Sequence, residues 1–173
     1  MTNITFKTLV LTGAAVFTFA NPVLANDLID NTAFGYVGGD VLQDTDVRGF
    51  ENDLNIKVGS ITAEEAMNNQ VRGDVAGDIR QEVRGDRNTL DLQVGSLNAR
   101  WAADNRAEGM INGDVTQQLE GFEQTGEIHV GAIDAGENGD AFNNEAMGYV
   151  DGSVTQLIGP ASTATLSVGS ITH

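Results

Sequence analysis

Val71-Arg72-Gly73-Asp74-Val75-Ala76-Gly77-Asp78-Ile79-Arg80-Gln81-Glu82-Val83-Arg84-Gly85-Asp86 separates into two interleaved sets. The odd-numbered set is Val, Gly, Val, Gly, Ile, Gln, Val, Gly, without a charge. The even-numbered set from Arg72 to Asp86 carries seven charges in eight positions. Strict alternation places the two sets on opposite faces of a β-strand. A helix would mix the charges into the apolar face, and each interior glycine would cost it about 1 kcal/mol. The stretch therefore predicts strand, with the odd set facing in.

Working outward, the same pattern returns. Ala107, Gly109, Ile111, Gly113, Val115, Gln117, Leu119 and Gly121 repeat the inward set. Val58-Gly59-Ser60-Ile61 recurs as Val94-Gly95-Ser96-Leu97, Val130-Gly131-Ala132-Ile133 and Val168-Gly169-Ser170-Ile171, at spacings of 36, 36 and 38 residues. Glycines four apart mark each copy: Gly35/Gly39, Gly73/Gly77, Gly109/Gly113 and Gly148/Gly152. Asn31, Asn69, Asn105 and Asn144 precede these pairs, and Gln43, Gln81, Gln117 and Gln156 follow them. Repeats of this length point to stacked supersecondary units. The copies run over about residues 31–68, 69–104, 105–143 and 144–173, in a single repeat domain of residues 26–173.

Polar turns follow Gly49, Gly85, Gly121 and Gly159, and a second, shorter alternating run follows each turn, such as Leu90, Leu92 and Val94. The unit reads as strand, turn, strand, with joints at 63–68, 99–104 and 134–143. The fold class is all-β. A β-sandwich or small barrel is the alternative to a four-repeat β-solenoid. A sandwich core near 10 Å thick wants larger inward side chains than Gly, Ala and Val. Inward glycines instead let two sheets approach closely, and in-register stacking would line the Gln and Asn sets into hydrogen-bonded columns. The same stacking aligns Asp40, Asp78 and Asp114. Charges about 5 Å apart in water repel by roughly 0.8 kcal/mol per neighbour, which is a tension within the solenoid reading.

The chain holds 25 acidic and nine basic residues, a net charge of −16, and no cysteine. The charge argues against nucleic-acid binding and against docking on anionic lipid. The absence of cysteine removes disulfides, thiolate metal sites and a cysteine nucleophile. Lys7, the apolar run from Leu9 to Ala20 and Val23-Leu24-Ala25 have the layout of a secretory signal peptide over residues 1–25. The apolar run is too short for a bilayer span. The expected product is secreted, to the cell surface, the extracellular space or the periplasm.

Chemistry is sparse. His129 and His173 stand 44 residues apart, and neither reads as a ligand or a base. Ser60, Ser96 and Ser170 share one repeat position with Ala132, which makes them structural rather than nucleophilic. No phosphate-binding glycine loop opens a helix. Asp134-Ala135-Gly136-Glu137-Asn138-Gly139-Asp140 has oxygen ligands of the kind Ca²⁺ accepts, but not the spacing of a known calcium loop. It reads as a solvated loop. No catalytic residue, cofactor or metal site is expected, and the protein does not read as an enzyme.

The fourth copy differs from the others. From Met147 to His173 its one side chain charged at neutral pH is Asp151. Uncharged, β-prone strands at a sheet edge are templates for another chain. Tyr149, Val150, Val154, Thr155, Leu166 and Val168 are the expected assembly edge. Asn31, Asn69, Asn105, Asn144, Gln43, Gln81, Gln117 and Gln156 are the expected ladder.

The acidic, Gly/Asn/Gln-rich strand–turn–strand repeats, with Gln81-x-x-x-Gly85-x-x-Asn88 as the nearest local echo, resemble in style the curlin subunits of bacterial surface fibres. Curlin repeats are shorter, space Gln, Gly and Asn differently, and lack the Val-Gly-Ser-Ile landmark. The resemblance implies self-assembly by stacking, with no active site. The sequence thus points to a secreted structural repeat protein that forms, nucleates or decorates an extracellular fibre or matrix. Its partners are then further copies or other fibre subunits. The alternative is a monomeric surface or periplasmic binding module.

Overall fold

The computed structural model describes residues 27–51, 53–135 and 139–172, and among them it contains no helix. The expected signal peptide lies outside the described residues. β1 (Asp27–Ile29) precedes a first turn of β2 (Thr32–Val37), β3 (Val41–Phe50), β4 (Asp53–Val58) and β5 (Ile61–Met67). The second turn is β6 (Gln70–Val75), β7 (Ile79–Asp86), β8 (Thr89–Val94) and β9 (Leu97–Ala103). The third is β10 (Arg106–Ile111), β11 (Val115–Glu120) and β12 (Thr125–Val130), with β13 (Ile133–Asp134) and β14 (Asp140–Phe142) sharing its last side. The fourth is β15 (Glu145–Val150), β16 (Val154–Ile158), β17 (Thr163–Val168) and β18 (Ile171–Thr172).

Each strand pairs in parallel with its equivalents one turn away, which makes four sheets wrapped around one core. The fold is an all-β solenoid of about four turns. Register follows the sequence repeat: Gly35, Gly73, Gly109 and Gly148 share one row, and Val58, Val94, Val130 and Val168 another. The pairing of β3 with β7 shifts between Thr45 and Gly49, where the first copy carries extra residues.

The turn is more finely divided than the sequence pattern indicates. It has four strands rather than two. The long alternating run bends at Ala76-Gly77-Asp78 and its equivalents, and three residues in the bend leave the parity of inward positions unchanged. The joint at 63–68 lies largely in β5, and that at 99–104 largely in β9. Their alternation is hidden because Glu64 and Glu65 both face out, as do Arg100 and Trp101.

Corners carry the special backbone. Gly59, Gly95, Gly131 and Gly169 have φ of 55–59° between the third and fourth sides. A Cβ on Gly59 or Gly95 would lie 1.9 Å from the carbonyl oxygen of Arg72 or Glu108 in the next turn, so both conformation and space require glycine. The inward Gly73 lets the Val94–Gly95 corner approach across the core, where a Cβ would meet Gly95 N at 2.3 Å. At the fourth-to-first corner Asp30, Asn68, Asp104 and Asn143 take left-handed φ of 50–57°, which Asn and Asp tolerate best among residues with a side chain. The core is a stack of Val, Ile, Leu and Ala rows such as Val41, Ile79, Val115 and Val154. Leu92 and Ile128 are 0 % exposed. Full burial of one such side chain contributes about 1.5–3 kcal/mol. On the outside, adjacent turns oppose unlike charges: Arg84 faces Glu120 at 3.3 Å and Arg72 faces Glu108 at 3.7 Å.

Candidate functional site: side-chain ladders and the open last turn

Three polar columns run the length of the stack. In the first, Gln81 Nε2 donates to Gln43 Oε1 at 2.9 Å, Gln117 Nε2 to Gln81 Oε1 at 2.8 Å, and Gln156 Nε2 to Gln117 Oε1 at 2.9 Å. Gln81 and Gln117 are fully buried. A buried amide is costly unless paired, and the repeat supplies the pairing amide one turn away.

The second column is Asn31, Asn69, Asn105 and Asn144. Asn105 Oδ1 accepts from the backbone N–H and the Nδ2 of Asn69, and Asn144 Oδ1 accepts likewise from Asn105. Asn105 Nδ2 also donates to the Ala66 carbonyl at 2.9 Å. Asn69, Asn105 and Asn144 thus each satisfy the corner N–H of the preceding Asn, which the strand ladder leaves over.

The third column answers the tension over stacked aspartates. Asp40 Oδ1 accepts from the backbone N–H of Asp78 at 2.9 Å, and Asp78 Oδ1 from that of Asp114 at 2.8 Å. Asp114 Oδ1 accepts from the N–H and hydroxyl of Ser153. These two bonds hold the Asp114 carboxyl below the usual carboxylate pKa. A charge-assisted bond to each carboxylate offsets the repulsion between neighbours, and the column ends in the neutral Ser153.

The assembly-edge residues lie on β15, β16 and β17, which pair with the third turn on one side only. Tyr149 and Thr155 face out, Val150 and Val154 are half-buried, and Leu166 and Val168 point inward yet are 50 % and 38 % exposed. Their third-turn equivalents Ile128 and Val130 are buried completely, and Val58 of the first turn is 5 % exposed. The last turn is therefore the uncovered one. Gln156, one step along, spans to the Thr165 carbonyl at 3.3 Å.

Two features were not read from sequence. Trp101 faces outward on β9, with Glu65 opposite it on one side and Asp140 on the other. Phe142 lies 6.5 Å from its ring, tilted by 55°. Glu64, Glu65, Met67, Arg100, Trp101 and Asp140 line an open groove of about 480 Å³. The signals for it were the lone tryptophan and the longer joint in copy three, which returns as β14. The second feature is His129, outward on β12 yet buried. Its Nε2 lies 3.8 Å from Glu127. Pairing with that carboxylate raises the imidazole pKa and lowers that of Glu127, while burial opposes the first shift. Burial raises the pKa of nearby Asp91, and Lys57, 3.8 Å away, works against it.

Ser96 N–H donates to Ser60 Oγ and Ala132 N–H to Ser96 Oγ, both at 3.3 Å, as expected of structural serines. Among the described residues no group of three His, Asp or Glu side chains is placed to hold a metal ion, and no helix is long and apolar enough to cross a membrane. Residues 136–138 of the acidic loop lie outside the described residues. No family model matches the chain, no curated protein matches it, and no solved structure matches its fold.

Proposed function

We propose that the protein is a secreted structural repeat protein that assembles into, nucleates or decorates an extracellular fibre or matrix by β-strand addition. The observation that carries this reading is the open last turn. Its strands have one unpaired edge, its inward Leu166 and Val168 are uncovered, and from Met147 onward Asp151 is its one charged residue. Natural sheets guard such edges with charge, which this turn nearly lacks from Met147 onward. Strand addition satisfies the free backbone groups and buries the apolar row.

The test is electron microscopy and light scattering on the purified chain, both full-length and starting at Asn26, over hours. The expected result is fibres or oligomers. Thr155→Asp with Thr165→Asp places carboxylates on the open edge and should suppress assembly while the β circular-dichroism signal stays unchanged. Added salt should partly restore it, since exposed charges are screened over about 8–10 Å near physiological ionic strength. A wild-type chain that stays monomeric under seeding, high concentration and added Ca²⁺ overturns the reading.

The Trp101 groove favours one other reading, a monomeric secreted or periplasmic binding module. A half-buried indole among Glu64, Glu65 and Asp140 suits a cationic group held by cation–π contact and carboxylates. Saturable binding of such a cation by a monomer, lost in Trp101→Ala, would select it.

A further inference from the structure

We infer that copies of this chain join head to tail in one register, with the last turn of one copy stacking on the first turn of the next as though it were a fifth turn. This rests on the assembly reading above and names its partner and contacts. Four observations at the two ends of the stack point to the same joint.

The first is an outward stripe whose exposed apolar side chains lie in the first and last turns, with the half-buried Met110 its one apolar member between them. One outward row reads Phe34, Arg72, Glu108, Met147 and the next reads Tyr36, Asp74, Met110, Tyr149. A third reads Leu42, Arg80, Thr116, Thr155. The second turn is charged in all three rows. Phe34, Tyr36 and Leu42 in the first turn, and Met147 and Tyr149 in the last, are exposed. Extending the register by one turn sets Met147 beside Phe34 of the next copy, Tyr149 beside Tyr36 and Thr155 beside Leu42. Aromatic and apolar neighbours of this kind stabilise adjoining strands.

The second observation is the corner glycine. Gly59, Gly95 and Gly131 each lie under a carbonyl oxygen of the following turn, that of Arg72, Glu108 or Met147, 1.8–1.9 Å from where a Cβ would stand. Gly169 has the same φ of 58° but no such carbonyl above it. Its equivalent in the joint is the Phe34 carbonyl of the next copy.

The third is Ser170 Oγ, buried and without a hydrogen-bond partner. Ser60 and Ser96 accept the N–H one turn on with the same atom. The joint places the Ser60 N–H of the next copy there.

The fourth is the fourth side of the solenoid. β18 occupies the column of Ile61–Thr62, whereas β1 pairs with Glu65–Met67. In a head-to-tail stack, β18 of one copy and β1 of the next fall in the same layer and fill different halves of one row. The third turn divides the same row between β13 and β14. Charge agrees, because the nearly neutral last turn meets a first turn bearing Asp40, Asp44 and Asp53 without opposing carboxylates in these rows. A heterologous contact that does not close yields an open filament. The joint requires the leading face of the first turn to be free. The assembly test is therefore run both on the full chain and on the chain starting at Asn26.

The test uses the absence of native cysteine. Tyr36→Cys and Tyr149→Cys chains are mixed, assembled and oxidised, and products are read on non-reducing gels. In-register neighbours about 4.8 Å apart fall within disulfide reach. The expected result is a covalent 36–149 dimer from the mixture, a covalent ladder from the double variant, and neither from either single variant. Gly169→Ala should lower the monomer's urea midpoint modestly, since its φ is 58° and a Cβ would stand 2.8 Å from Gly148 N, yet cut assembly at least tenfold under conditions where the monomer stays folded. Fibres that form with 149–149 cross-links, or without 36–149 cross-links, overturn this joint while sparing the assembly reading. A chain that forms no assemblies in any form overturns both. Unimpaired assembly of Gly169→Ala overturns the joint even where a cysteine variant folds poorly.

Discussion

Leu92 and Leu166 occupy equivalent positions two turns apart, one fully buried and the other half exposed. Nothing in their own residue type separates them. In a globular core each side chain is enclosed by elements distant in sequence. Here it is enclosed by its own equivalents, one turn before and one turn after. An interior turn is complete because it is preceded and followed, and the last turn is the same structure with half its environment removed. Stability in such an array is a sum of unit and neighbour terms, so the cost of a substitution should depend on which turn it strikes.

The largest contrast is expected in the glutamine column. Gln117→Glu buries a carboxylate between the amides of Gln81 and Gln156, beside the Glu127 carbonyl, and should cost about 3–5 kcal/mol. Gln156→Glu, half-buried at the open turn, should cost about 1 kcal/mol by the smaller penalty of a partly solvated charge. Urea midpoints measure both, and equal losses would show that the last turn is no more open than the third.

A middle-sized contrast sharpens the asparagine column. Asn105→Ala strips partners from the Asn69 N–H, the Ala66 carbonyl and Asn144, and should cost about 2–4 kcal/mol for buried groups left unpaired. Asn31→Ala keeps its own backbone bond to Asn69 and loses one exposed contact. It should change stability by about 0.5 kcal/mol or less. Thermal melts of the two variants side by side decide it.

The smallest effect is electrostatic. Pairing with Glu127 raises the His129 pKa in the folded chain. The folded state therefore binds the proton more tightly, and this stability is fully present below the unfolded imidazole value of about 6.5. It is lost as pH rises through the higher folded value. Melting temperature should fall between pH 5.5 and 8.5 in wild type, and the fall should shrink in His129→Asn. An unchanged pH slope in that variant would remove the pairing from the energetics.

The fold was legible because its period is carried by residues that tolerate little else. Gly95 at a left-handed corner under a carbonyl, and Gln81 in a buried amide column, fix both register and facing. The fourth side was not legible as strand. Ala63, Ala99, Ala66 and Ala102 are small enough to resemble a linker, and paired outward residues break the alternation there. The repulsion of the stacked aspartates is offset for a related reason. Point charges in water capture their repulsion, but not the backbone N–H that each carboxylate receives from the following turn. The Trp101 groove depends on β14 returning to pair with β9, a placement that no periodic signal encodes.

One consequence follows from the rise of a single strand spacing per turn. Beyond Ala25 the chain has 25 acidic and eight basic side chains, a net charge of −17. Four turns at about 4.8 Å each extend about 19 Å, so the axial charge density is about one per 1.1 Å. Duplex DNA carries about one per 1.7 Å. A filament of this protein would be a polyanion, sheathed in condensed cations. Its spacing from neighbouring filaments, and the ease with which they bundle, would then follow the valence of the surrounding salt.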